Sequence, residues 1–310
     1  MKSIWLLMVG TWICSVATSG ADAEEVRQLI SRDGQAISYR LFPVESAKGV
    51  FLFIHGIQSH SGWYVESCGQ LAESGFQVYF PDRRGSGLHE DQRGHIEDFH
   101  TLLDDISAFL DLIHTENPGV PVYLMGVSWG GKLALLYEAT HPGEADGLIL
   151  STPGIVAKAD LSFSDKLRVA RISLAGEATA EVEYAPIPLN DPGLFTDDPE
   201  WRDWISEDPS TLHNASLQFY RESIQIDAEL RKGPIDSKVP ILVQLAGRDE
   251  IIDNEGLRNY FEKFLTPECR SRLKILEYPK ARHTLEFEPD SKEIIGDLLT
   301  WVASIAPKSD

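Results

Sequence analysis

Short, continuous apolar runs alternate along this chain with stretches whose apolar positions repeat at helical spacing. Residues 50–54, 77–80 and 122–125 are rich in β-branched and aromatic side chains. Runs of this length predict strands buried on both faces of a mostly parallel sheet. Residues 147–150, 241–245 and 273–276, the last with Tyr278, continue the series. Within 99–117, Phe99, Leu102, Leu103, Ile106, Phe109, Leu110 and Ile113 share one face of a predicted helix. Asn117-Pro118-Gly119 ends that helix and Pro121 opens the next strand. Near the start, residues 26–31 and 36–42 alternate apolar and polar positions around Asp33-Gly34, as a hairpin does. The predicted class is therefore α/β, a mostly parallel central sheet flanked by helices.

The alternation lapses between Ser151 and Val239. Prolines recur there, and amphipathic stretches such as 167–174 and 217–230 replace the strand pattern. Residues 154–237 read as a helical cap insertion. Because the sheet resumes at Pro240, residues 24–153 and 238–310 form one core domain around it.

Residues 1–23 differ in kind: Lys2 precedes the apolar stretch 4–17, and Ala21-Asp22-Ala23 has the small-x-small form of a cleavage site. A signal peptide cut after Ala23 and export to the periplasm or medium are predicted, with no membrane span left in the mature chain. The competing reading of the same stretch is an uncleaved anchor. Cys14 follows Trp12-Ile13, a poor context for lipid attachment. Cleavage leaves Cys68 and Cys269, whose pairing in a disulfide the sequence does not decide. No Cys/His spacing points to a metal, and no cofactor is expected. The formal charge of −20 argues against nucleic acid or anionic lipid as a partner. A small-molecule substrate remains, and oligomeric state is not legible.

The chemistry centres on Gly126-Val127-Ser128-Trp129-Gly130-Gly131, between an apolar run and the helix-like residues 132–140. Strand, sharp turn and helix around G-x-S-x-G form a nucleophile elbow, with Ser128 at its tip. A serine hydroxyl attacks at neutral pH only when an imidazole takes its proton and a carboxylate orients that imidazole. Asp249 follows the run 241–245 and His283 follows 273–278, so both fall at the carboxyl ends of predicted strands. Asp253 is the competing acid. Of nine histidines, His283 alone has the required position. Asp82, also after a strand, reads as a structural ion pair and turn. An acyl-transfer oxyanion needs two donors. These are predicted to be the N–H groups of Trp129 and of Ile57, in the loop His55-Gly56-Ile57, where His55 shapes the loop.

The chain resembles the monoacylglycerol lipase and lysophospholipase branch of the α/β-hydrolase superfamily, of the S33 serine aminopeptidase type. Residues 55–64 are similar to its H-G-x-x-x-H-S-G-x-Y loop, and residues 82–87 to its D-x-R-G-x-G turn. Asp98-Phe99, residues 117–122 before the elbow, residues 195–200, Gly247-Arg248-Asp249 and His283 also match in order. The elbow departs from the family's usual G-H-S-M-G-G at Val127 and Trp129, which puts acyl preference in question.

The resemblance implies an esterase acting on lipid-derived monoesters; export, read from residues 1–23, departs from many members of that branch. A proline iminopeptidase-like aminopeptidase is the alternative, and would need a cap carboxylate for the substrate amine. Glu181, Glu183, Asp198, Glu200, Glu207 and Asp208 are its candidates. A third reading is a catalytically silent binding protein on the same fold.

Overall fold

The computed structural model describes residues 24–175 and 182–306. The predicted leader, residues 1–23, lies outside the described residues.

Before the insertion the chain forms β1 (Glu25–Ile30), β2 (Ala36–Phe42), β3 (Gly49–Ile54), α1 (Val65–Glu73), β4 (Phe76–Pro81), α2 (Phe99–Glu116), β5 (Val122–Val127), α3 (Trp129–Thr140) and β6 (Gly147–Ser151). The segment after β6 holds α4 (Phe163–Ala175), β7 (Tyr184–Pro186), α5 (Pro199–Glu207), β8 (Asn214–Ser216) and α6 (Leu217–Glu229). The core then resumes with β9 (Ile241–Ala246), α7 (Asn254–Phe264), α8 (Pro267–Arg270), β10 (Leu273–Tyr278) and α9 (Ser291–Ile305).

Eight strands form one sheet in the order β1-β2-β4-β3-β5-β6-β9-β10. The hairpin strand β2 pairs antiparallel with β1 and β4, and the six strands from β4 to β10 run parallel. β3, β4, β5, β6 and β9 are buried along their whole length, as their unbroken apolar runs require, whereas the edge strand β10 is half-exposed. α1 packs with α9, and α2 with α3. The insertion is not wholly helical: β7 and β8 pair antiparallel as a small second sheet. Strands of three residues carry too short a pattern to read as sheet.

α3 is buried on every side from Trp129 to Glu138. It is apolar almost all round, as such a position demands. Two charged residues are exceptions. Glu138 is met by the Ser237 hydroxyl and the Lys238 N–H, and Lys132 faces the insertion. Cys68 and Cys269 are both buried free thiols. Among the described residues no helix is long and apolar enough to cross a membrane.

Candidate active site

β3, β5, β9 and β10 run parallel, so the loops leaving their carboxyl ends gather at one edge of the sheet. Those four loops carry Ile57, Ser128, Asp249 and His283.

Ser128 sits between the last residue of β5 and the first of α3 with φ 52° and ψ −121°. That conformation costs a side-chain-bearing residue on the order of 1–3 kcal/mol. Its surroundings enforce it: the Ser128 N–H donates to the Ser151 carbonyl at 3.0 Å, and the Ser128 carbonyl accepts from Gly131 at 2.9 Å and Gly154 at 2.7 Å. The turn also needs bare backbone. A Cβ on Gly126 would lie 2.5 Å from the Gly130 carbonyl oxygen, and one on Gly130 would lie 2.4 Å from that of Ile54.

Asp249 and His283 face each other across the ends of β9 and β10. Asp249 Oδ2 accepts from His283 Nδ1 at 2.8 Å, while its Oδ1 accepts from the N–H groups of Ile251 and Ile252 at 2.8 and 2.9 Å. Burial pushes this carboxyl up, but the imidazole and the two N–H donors outweigh it and hold it below the usual carboxylate range. A carboxylate only accepts, so His283 carries its proton on Nδ1 and leaves Nε2 as the acceptor. Nε2 is buried without a hydrogen-bond partner among the described residues, and His283 lines a small recess together with Ser128, Gly56 and Ile57. Asp253 is not at this site; it caps α7 through the Gly256 N–H.

Residues 45–290 match the family model described as "Serine aminopeptidase, S33". The chain belongs to that family. It is a hydrolase of the monoacylglycerol-lipase-like branch of the α/β-hydrolases. It is 25% identical over 264 residues to the monoacylglycerol lipase of Mycolicibacterium smegmatis, covering 84% of this chain and 90% of the relative. It is 26% identical over 285 residues to the human monoglyceride lipase, covering 90% and 91%. In fold it is similar to a monoacylglycerol lipase from Paleococcus ferrophilus, with TM-score 0.74 and 24% identity over 87% of this chain and 99% of the other. A soluble variant of the Saccharomyces cerevisiae monoglyceride lipase superposes with TM-score 0.77 and 20% identity over 94% and 98%.

In this S33 chain the loop after β3 abuts the elbow: a Cβ on Gly56 would lie 3.3 Å from Ser128 Cβ. A relay fixes that loop. The Arg83 N–H donates to His55 Nε2 at 2.9 Å, so the other ring nitrogen holds the proton and donates to the Gly56 carbonyl at 2.8 Å. Burial, aided by the Arg83 charge, holds the His55 pKa well below its ordinary value and the ring neutral. The Arg83 guanidinium grips the same segment, donating to the Ile57 carbonyl at 3.0 Å and to that of Gly56 at 3.5 Å. It lies 5.1 Å from the ring centroids of both Trp129 and Phe219. Burial brings its pKa down to about 10. The elbow tryptophan thus shelters a buried cation, which the sequence does not disclose because an Arg beside Asp82 and Arg84 in a turn reads as part of an ion pair.

Asp82 differs from expectation. Its oxygens accept from the N–H groups of Ser61 at 2.6 Å and Leu88 at 2.9 Å, and it pairs with no cation among the described residues. The neighbouring Arg84 pairs with Asp33 and Asp105 instead. The turn is as read, and backbone N–H donors take the place of the ion pair.

A cavity of about 750 Å³ opens on Ser128. Apolar side chains of the insertion, among them Ile155, Val169, Ile187, Leu189 and Ile224, form most of its wall. Its charged residues are Lys132, Lys166, Arg231, Asp160 and Asp227. Asp160 is paired with Lys166, and Asp227 receives Lys132 on its Oδ1 at 3.0 Å.

Proposed function

We propose that the protein cleaves carboxylic esters of lipid-derived monoester type through an acyl-enzyme on Ser128. One observation carries the reading: a strained serine and an Asp249-oriented imidazole with a free Nε2 share a recess that adjoins a large, mainly apolar cavity. His283 Nε2 takes the Ser128 proton as the hydroxyl attacks the ester carbon, and returns it to the leaving alcohol. Asp249 holds the ring and stabilises the imidazolium. The oxyanion is met by the N–H groups of Trp129 and Ile57. The first heads α3, where no carbonyl lies one turn back and the helix dipole favours negative charge. The second makes no hydrogen bond within the protein among the described residues. Water then releases the acid. The small-x-small exit of residues 1–23 supports export.

Arg83 and His55 hold the Gly56 carbonyl, the far end of the peptide whose N–H belongs to Ile57. Arg83→Met keeps much of the apolar packing and drops the grip. It is expected to lower kcat on an ester by about tenfold to a hundredfold, less than the loss of an oxyanion donor itself, with little change in KM. Steady-state kinetics beside a thermal melt would separate this from simple unfolding.

The family description makes an aminopeptidase the second reading. Such a site needs a free carboxylate for the substrate ammonium. Glu183 pairs with Arg168 and Arg171, and Asp208 is held by His60 Nε2 at 2.6 Å and the Trp63 indole N–H at 3.2 Å. Asp198, Glu200 and Glu207 do not line the cavity, and Glu181 lies outside the described residues. With three cations to two paired carboxylates, the cavity favours a neutral or acidic substrate over an amine. The native protein is expected to hydrolyse a medium-chain monoacylglycerol with kcat/KM at least about a hundredfold above that for a prolyl anilide, a ratio of the size that charge mismatch sustains. A ratio below one would move the assignment to aminopeptidase.

A further inference from the structure

We infer that the acyl half of the substrate carries a hydroxyl group, held by Ser223 and Asp227 on α6. The inference rests on the ester-hydrolase reading of Ser128 and adds a feature of the substrate to it.

Lys132 lies one helical turn beyond Ser128 on α3, about 6 Å along the axis. The residue is buried at 4% exposure, and its ammonium donates to Ser223 Oγ at 2.8 Å, to Asp227 Oδ1 at 3.0 Å and to the Ser223 carbonyl at 3.4 Å. The Trp129 indole N–H donates to the same Ser223 Oγ at 3.0 Å. An ammonium and an indole N–H are donors only, so both lone pairs of the Ser223 hydroxyl are taken and its own proton needs an acceptor. Among the described residues it donates no hydrogen bond. Asp227 has the opposite surplus. Its Oδ1 receives Lys132, with Arg231 Nη1 at 3.8 Å, while Oδ2 has no partner among the described residues.

Ser223 and Asp227 are four residues apart on one face of α6, and both line the large cavity. One unused donor and one unused acceptor therefore stand together in a mainly apolar wall. A hydroxyl is the smallest group that satisfies both at once. A plain hydrocarbon lying there would shield both from water without replacing either hydrogen bond. The half of the ester concerned follows from the proton path. The leaving alcohol must lie within reach of His283 Nε2, and His283 lines the small recess and not the large cavity. The large cavity, which also contains Ile57, Ser128 and Trp129, then receives the acyl chain.

The test is a series of esters of one alcohol with octanoic acid and with hydroxyoctanoic acids that differ in the position of the hydroxyl. The native protein is expected to cleave one isomer with kcat/KM about tenfold above that of the unsubstituted ester. The gain is modest beside fully enclosed hydroxyl sites because Asp227 is one-third exposed. Ser223→Ala is expected to bring that ratio to about one. The inference fails when no isomer exceeds the octanoyl ester, or when the ratio survives in a folded Ser223→Ala protein. The native series decides even where that variant does not fold. Labelling of Ser128 by an alkyl phosphonate, with turnover of the octanoyl ester, reports separately on the ester reading. Labelling and turnover without isomer preference overturn the hydroxyl inference alone, and the absence of both overturns the two together.

Discussion

Replacing Ser128 by Ala is expected to reduce kcat/KM on a medium-chain monoacylglycerol by roughly a million-fold, the scale on which loss of a serine nucleophile removes the whole acyl-transfer route. The prediction is sharp because the backbone contributes little to the change. Ala and Ser carry the same Cβ, so the positive φ at this position strains both alike, and the hydrogen bonds to Ser151, Gly131 and Gly154 are made by main-chain atoms. The melting temperature should therefore move by no more than a few degrees, and a non-hydrolysable ester analogue should still bind. These controls separate an enzyme from a silent binding protein. A variant that retains more than about a tenth of native turnover would place the nucleophile elsewhere.

The second large effect is expected for Asp249→Asn, about ten-thousand-fold in kcat, the size seen when a catalytic imidazole is held in the wrong tautomer. Here the direction of the amide is dictated by its neighbours. The Ile251 and Ile252 N–H groups donate to Oδ1, so the amide oxygen of Asn must take that position. The amide nitrogen then replaces Oδ2 and points its hydrogens at His283 Nδ1. Nδ1 becomes the acceptor, the ring proton moves to Nε2, and the imidazole can no longer accept from Ser128. KM should change little, since Asp249 does not line the substrate cavity. A loss below about tenfold would show that the imidazole is not oriented from Asp249. Asp253→Asn is the companion measurement; it should leave kcat near native, because Asp253 serves α7 and does not reach His283.

Much of the framework was legible from local pattern. Apolar runs at 50–54, 77–80 and 122–125 became β3, β4 and β5, each extended by one or two residues, because a strand buried on both faces has no freedom to be polar. The helix read at 99–117 is α2, and the Asp33-Gly34 hairpin is present. The insertion was read less well. β7 and β8 are three residues each and are brought together from opposite sides of α5, so no contiguous stretch records their pairing. Asp82 was misjudged for a related reason. Arginines at 83 and 84 suggested an ion pair, but adjacent residues in a turn point different ways, and the partners came from the backbone of residues 61 and 88.

The sequence by itself determined the order of the strands along the chain and the residues at their carboxyl ends, because burial imposes composition and sharp turns impose glycine. It could therefore nominate Ser128, Asp249 and His283, each from its own short segment. Tertiary structure decided everything that depends on groups distant in the chain meeting at a fixed distance. Asp249 rather than Asp253 faces His283. Arg83 settles between Trp129 and Phe219 with its hand on the loop of Gly56 and Ile57. Lys132 and Trp129 saturate the lone pairs of one hydroxyl on α6, on a residue that lines the cavity. Directional bonds of about 3 Å between side chains nearly a hundred residues apart leave no periodic trace in the sequence, since each partner only has to be polar where it stands.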